Sequence, residues 1–268
     1  MDDERPAPVG VDTSIPNVAR MYDYALGGKD NFAADRAAAD RLFAAVPEVG
    51  RGPMRLNRRF LGRAVRFLAG DAGIRQFLDI GAGLPTQGNV HEIAQASAPD
   101  ARVVYVDYDP VVVTHGRALL ATSDTVAVVS GDLRRPGEIL DNPEVRASID
   151  FDQPVAVLLI AILHFIADAD DPVAIVTRLR DELAPGSYLV LSHVSLGSHA
   201  PAIEKGKEIY RGATAGVTPR LRADILRLFD GFDLVEPGLV WVPQWRPDSS
   251  DVVDNPELAL ALAGVGRK

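Results

Sequence analysis

The sequence predicts an α/β protein, an open and mostly parallel sheet carrying a helical cap at its amino-terminal side. From residue 76 onward, short apolar runs alternate with segments of helical periodicity, the pattern of strands joined by crossover helices and buried on both faces. Residues 76–110 read as strand, glycine turn, helix and strand, with an acidic residue closing each strand. Ahead of them, residues 14–72 repeat apolar positions at helical spacing.

In chain order, residues 1–13 are acidic and proline-bearing without an apolar core, which predicts a disordered tail rather than a signal peptide. The cap over 14–72 begins with Val18, Met21, Tyr22 and Ala25 at helical spacing, is interrupted at Gly27-Gly28-Lys29, and resumes over 32–46. A further helix over 54–68 follows Pro53, with Leu56, Phe60, Leu61, Ala64, Val65 and Leu68 on one face. Arg55, Arg58, Arg59, Arg63 and Arg66 form its other face, which reads as a solvated surface. The domain over 73–268 then runs strand 76–80, helix 87–97, strand 102–107, helix 110–121, strand 125–130, strand 154–161, helix 171–183 and strand 187–194. A helix over 219–228 precedes DLVEPGLVWV, two short apolar runs joined at Pro237-Gly238 in the manner of a hairpin. Trp241 and Trp245 are expected to pack as core.

Composition narrows the function classes. With no cysteine, disulfides, thiolate metal sites and cysteine nucleophiles are excluded, and the five histidines form no helical metal-ligand pair, so no metal is expected. A net charge of −9 argues against a nucleic-acid partner, whose affinity would come from neutralised phosphates. The longest apolar run, VAVLLIAILHFIA, is too short to span a membrane, so a cytoplasmic protein is expected.

Ligands of open parallel sheets bind at the carboxyl ends of strands, where the first glycine turn lies. Gly81 and Gly83 mark a backbone that approaches a ligand closely, but Thr86 stands where a dinucleotide site needs a third small residue. Asp79, just ahead of the glycines, would repel a phosphate and attract a cationic amino group. Asp107 ends the second strand, placed to accept from ribose hydroxyls, and Tyr108 can stack on a base. Gly131, Asp132 and Leu133 close the third strand, where a carboxylate and a backbone N–H suit the edge of an adenine. Together the three strand ends describe an adenosine clamp.

These motifs, FLDIGAG, VVYVDYDP, SGDLRRP and VAVLLIAILHFI in that order, resemble those of the class I S-adenosylmethionine-dependent methyltransferases. The resemblance implies their Rossmann-like class I methyltransferase fold with an antiparallel last strand, for which DLVEPGLVWV is the candidate. It also implies S-adenosyl-L-methionine as cofactor and S-adenosyl-L-homocysteine as product. Asp79, Gly81, Ala82 and Gly83 would hold the methionine end, Asp107 and Tyr108 the ribose and adenine, Gly131, Asp132 and Leu133 the adenine edge, and Ala161 to His164 the floor beneath the methyl. The block NVARMYDYALGGKDNFAADR, with DIGAGLPTQGNVHE and the late WRP, is similar to an actinobacterial family of methyltransferases whose acceptor the resemblance does not supply.

Within this frame, Gly27-Gly28 reads either as a hinge letting Tyr22, Tyr24, Lys29 and Asn31 close over the cofactor, or as a helix C-cap turn with a solvated lysine. Arg59 or a neighbour is the candidate for the cofactor's carboxylate. His164 is the candidate general base, with a pocket-shaping role as the alternative. Net acidity favours a small-molecule acceptor, with no membrane or nucleic-acid partner and no oligomeric state specified. A non-catalytic binder of the same cofactor would show the same motifs, whereas an NAD-dependent oxidoreductase would need the missing third glycine and a hydride-site pair.

Overall fold

The structure is a computed structural model that describes residues 11–45, 47, 50–85, 88–120, 123–197, 199–248 and 253–268. Residues 1–10 of the expected tail, together with Thr86 of the glycine turn, lie outside the described residues.

The cap starts with α1 (Val18–Leu26), whose first amides are satisfied by Asn17, its side chain accepting from the N–H groups of Ala19 and Arg20. Gly27 ends the helix at φ 88°, so of the two readings of the glycine pair the C-cap turn is the one observed. Asp23 then accepts from Asp30 N at 3.0 Å and Asn31 Nδ2 at 2.9 Å, fixing the turn into α2 (Ala33–Ala45). Arg20 and Asp35 form a buried ion pair at 2.8 Å, and Asp35 also accepts from the backbone of Asn17 and Phe32. α1 and α2 are thereby held to each other by charge satisfied on all sides, the condition under which a buried pair is tolerated.

α3 (Gly52–Arg66), extended by a π-helical turn over Phe67–Asp71, sinks Phe60, Leu61, Ala64 and Val65 into the core against the sheet. Contrary to the solvated surface expected from the sequence, its arginine face is not uniformly exposed. Arg63 is buried and donates to the carbonyls of Trp245 at 2.9 Å and Val242 at 2.8 Å, crossing to the carboxyl-terminal part of the chain. Trp245 is core, as expected, with an edge-to-face contact to Phe60 at 5.5 Å, while Trp241 is only half-buried.

The remainder alternates as β1 (Gln76–Ile80), α4 (Val90–Ser97), β2 (Arg102–Asp107), α5 (Pro110–Leu119), β3 (Val126–Ser130), α6 (Pro136–Leu140), α7 (Pro143–Ser148), β4 (Ala156–Ile160), α8 (Pro172–Glu182) and β5 (Tyr188–Val194). There follow α9 (Ala200–Tyr210), α10 (Arg222–Arg227), β6 (Asp233–Leu234), β7 (Val240–Trp241) and β8 (Ala261–Arg267). Strand order is β3-β2-β1-β4-β5-β8-β6, parallel from β3 to β5, with β8 antiparallel to β5. On β1 the side chains alternate between two cores, Phe77 packing beneath α3 and Leu78 and Ile80 on the opposite face. Among the described residues no helix is long and apolar enough to cross a membrane.

The antiparallel strand is β8, not DLVEPGLVWV. β6 and β7 do not pair as a hairpin; each pairs separately with β8. The sequence ALAGVGR carries two glycines that ordinarily weaken a strand, which hid it. Both are demanded by packing: a Cβ on Gly266 would lie 2.8 Å from Phe232 Cβ, and one on Gly264 3.1 Å from Phe229 Cζ.

Candidate functional site

The strand order reverses between β1 and β4, and the carboxyl ends there open into a cavity of about 200 Å³. A single water needs only roughly 10–15 Å³, so the space suits an organic ligand.

β1 delivers Asp79 to this cavity and then turns sharply at Gly81 and Gly83, with φ 76° and 67°. A Cβ at Gly81 would stand 2.6 Å from Ile162 Cγ1, so only glycine lets the turn press against the exit of β4. Gly81 N and Ala82 N both donate to Val106 O, at 2.8 and 3.2 Å. Gly83 N donates to Asp107 Oδ2 at 2.9 Å, and Asp109 N to Asp107 Oδ1 at 3.0 Å. Each carboxylate oxygen of Asp107 therefore keeps acceptor capacity for a ligand hydroxyl.

Asp79 is different. It is buried at 5% exposure and its carboxylate has no hydrogen-bond partner among the described residues. Burial pushes its pKa up to about 7, opposed by the nearby Arg58 guanidinium and reinforced by the charge of Asp107. Burial likewise raises Asp107 to about 6, against the backbone amides that hydrogen-bond it. Two carboxyls strained in this way form a site that a cationic ligand would stabilise.

The cap closes the opposite wall. Asn17 Nδ2 donates to Asp109 Oδ2 at 2.5 Å, latching the start of α1 to the end of β2. Tyr22 and Asp23 line the cavity from the same helix. At the floor, Ala161 adopts φ 54°, a conformation uncommon outside glycine, with its N–H held by Ser192 Oγ at 2.9 Å. Ser192 donates onward to Asn57 Oδ1 at 2.6 Å, Asn57 Nδ2 donates to Tyr22 Oη at 3.1 Å, and Tyr22 donates to Met54 O at 3.0 Å.

His164 is buried beside this floor and accepts from Val194 N at 3.4 Å through Nδ1. A backbone amide only donates, so Nδ1 is bare and the neutral ring carries its proton on Nε2. Burial, with His193 and Arg220 nearby, holds its pKa well below the ordinary value of 6.5. His193 accepts from Arg220 Nη1 at 2.8 Å through Nε2, donates to Val194 O at 2.8 Å, and is pushed down to about 4 by burial.

Of the residues singled out from sequence, the fold brings Tyr22, Asp79, Gly81, Ala82, Gly83, Asp107, Tyr108, Ala161 and His164 to the cavity wall. Others lie away from it. Tyr24 lies away from the cavity, its hydroxyl 3.1 Å from Asp40 and its ring 6.4 Å from that of Phe43, with the Arg51 guanidinium over both rings. Arg59 is exposed, and its neighbour Arg58 takes the cavity position, donating to Gly88 O at 3.0 Å. Asp132 is engaged by Arg134 at 2.6 Å, Leu133 packs into the core, and Gly131 donates to Asp107 O at 3.0 Å, tying the ends of β2 and β3. Tyr210, expected from sequence in a stretch suited to substrate binding between the fifth strand and the last helix, also lines the cavity, whereas Asn17, Asn57, Asp109 and Ser192 were not anticipated. Asn17 and Asp109 carried a signal, since each is a side chain of N-cap type directly ahead of a helix. Ser192, inside an apolar strand, carried none.

A family model described as S-adenosyl methyltransferase matches residues 4–268. Among solved structures, a proposed methyltransferase of Thermobifida fusca YX is 47% identical, with 97% of this chain and 98% of that chain covered at a TM-score of 0.91. A DUF574 family protein of Streptomyces avermitilis MA-4680 is 43% identical, with 96% and 99% covered at a TM-score of 0.92. No curated protein matches the chain.

Proposed function

The chain belongs to the S-adenosyl methyltransferase family, and on that premise we propose that it binds S-adenosyl-L-methionine in the cavity between sheet and cap and methylates an oxygen, nitrogen or carbon nucleophile of a small molecule. The observation that carries this reading is Asp79, a buried carboxylate without a hydrogen-bond partner among the described residues, at the mouth of a positive-φ glycine turn. Left alone it is costly; opposite an ammonium or sulfonium it is matched.

When bound, S-adenosyl-L-methionine supplies an activated methyl group on a sulfonium centre. Asp79 would hold the amino group, the two oxygens of Asp107 would take the ribose hydroxyls with their remaining lone pairs, and Tyr108 would cover the base. Arg58, rather than Arg59, is placed for the carboxylate. Ala161, fixed by Ser192, gives the reaction a floor that does not yield, and the cap excludes water through Asn17 and Tyr22. Alignment of this kind supplies roughly 7–11 kcal/mol of a transfer barrier without an elaborate catalytic constellation.

The test is a product-release assay: the purified protein is incubated with S-adenosyl-L-methionine and a panel of phenols, amines and enols, and S-adenosyl-L-homocysteine is quantified by mass spectrometry. Acceptor-dependent formation that disappears in Asp79→Asn supports the reading. Cofactor bound with no turnover across the panel would favour a non-catalytic binder.

A further inference from the structure

Resting on the methyl-transfer reading, we propose that the compartment between α1, α9 and the exit of β4 takes an uncharged, planar, apolar acceptor whose polar atom receives hydrogen bonds from His164 and Tyr210.

The charged groups of the cavity gather elsewhere: Asp79, Asp107, Asp109 and Arg58 surround the glycine turn, and Asp23 is engaged by Asp30 and Asn31. On the side formed by α9 and the β4 exit the lining includes Phe165, Ala202, Ile203, Tyr210, Val217 and Pro219, and no residue with a formal charge among those described. A charged acceptor would lose its hydration there and find no counter-ion, which is costly. The wall is also aromatic: His164 and Phe165 lie 4.5 Å apart between ring centroids, and Phe165 meets Tyr210 edge-on at 5.6 Å. Flat faces of this kind favour a planar partner.

Two polar atoms remain in that wall. Nε2 of His164 carries the proton, because Nδ1 accepts from Val194, and it has no partner among the described residues. The hydroxyl of Tyr210 likewise has no partner among them, and burial, with Tyr22 adding to it, pushes its pKa up to about 12. Both groups are neutral donors at physiological pH. His164 is thereby assigned to orienting the acceptor, because a ring with Nδ1 occupied and Nε2 protonated offers no lone pair to take a proton.

The experiment is equilibrium dialysis of the S-adenosyl-L-homocysteine-loaded protein against four probes of one shape: 2-naphthol, naphthalene, 2-naphthoate and 2-naphthylmethylammonium. 2-Naphthol is expected to bind about tenfold or more tightly than either ion. Tyr210→Phe and His164→Phe are each expected to weaken 2-naphthol by about three- to tenfold, the worth of one hydrogen bond, and to leave naphthalene unchanged. His164→Gln, which keeps a donor, should recover part of the loss. Tyr210→Phe removes an oxygen that has no hydrogen-bond partner among the described residues, so its effect is read without a folding defect. Equal binding of an ion, no binding of 2-naphthol, or variants indistinguishable from wild type would overturn the proposal. If S-adenosyl-L-homocysteine itself fails to bind, the cofactor reading falls, and the same four probes without it decide the compartment separately.

Discussion

Ser192 Oγ lies 2.6 Å from Asn57 Oδ1, and this one bond joins the end of β5 to α3 and, through Asn57 and Tyr22, to the cap. It also keeps Ser192 oriented to accept from the N–H of Ala161, the positive-φ residue of the cavity floor. Asn57→Ala would leave a buried hydroxyl and a strained amide with poorer partners. Each unsatisfied buried group costs roughly 1–3 kcal/mol, so a loss of about 2–4 kcal/mol is expected in denaturant unfolding. Ser192→Ala, which takes this partner from both the Ala161 N–H and Asn57 Oδ1, should cost a similar amount and also weaken cofactor binding, measured by calorimetry, because the floor loses its tether.

Asp79 gives a pH prediction. Its folded-state pKa, near 7, stands above the ordinary 3.8, so the folded protein binds this proton more tightly than the unfolded chain. The cost of ionising it is absent below the unfolded value and complete above about 7. Asp79→Asn is therefore expected to stabilise the ligand-free protein at pH 8 by up to about 4 kcal/mol, less the cost of burying an amide, with the gain falling to about 1 kcal/mol at pH 4.5. Chemical denaturation at the two pH values measures it. Cofactor affinity should move the other way, rising from pH 6 to 8 in the wild type and flat in the variant, since only the ionised carboxylate attracts a cation.

Gly81→Ala should be severe. The added methyl meets Ile162 at 2.6 Å on a backbone whose φ is 76°. A positive-φ penalty of about 1–2 kcal/mol and a clash of about 1–3 kcal/mol are expected to add, lowering the melting temperature and removing cofactor binding together.

Tyr22 and Tyr24 sit on one helix and separate by function. Tyr22→Phe removes the hydroxyl that receives from Asn57 and donates to Met54, so it is expected to weaken cofactor binding. Tyr24→Ala strips the packing with Phe43 and Arg51 outside the cavity, and is expected to cost about 1–2 kcal/mol of stability with little change in affinity. Paired calorimetry and melting curves distinguish the two.

β1 and β2 were legible to the residue because uninterrupted apolar runs end there in a carboxylate, and burial on both faces demands that pattern. Asp79, Gly81 and Asp107 followed from the chemistry of a strand end. Other features depended on contacts between distant segments. β8 is held by its pairing with β5, and its glycines are set by Phe229 and Phe232, which occupy the space a side chain would need. Tyr24 differs from Tyr22 only in the side of α1 it occupies, which the docking of α2 decides. Arg58 and Arg59 are adjacent in sequence, and the rotation of α3 on the sheet selects Arg58. His164 lines the cavity, and its protonated nitrogen is set by Val194, thirty residues away.

The most direct measurement is calorimetric titration of the dialysed protein with S-adenosyl-L-methionine and S-adenosyl-L-homocysteine, with NAD in parallel and Asp107→Ala as control. Micromolar binding of the first two, lost in the variant and absent for NAD, is the expected result. Binding of NAD alone, or cofactor affinity untouched by Asp107→Ala, would contradict the assignment of this cavity.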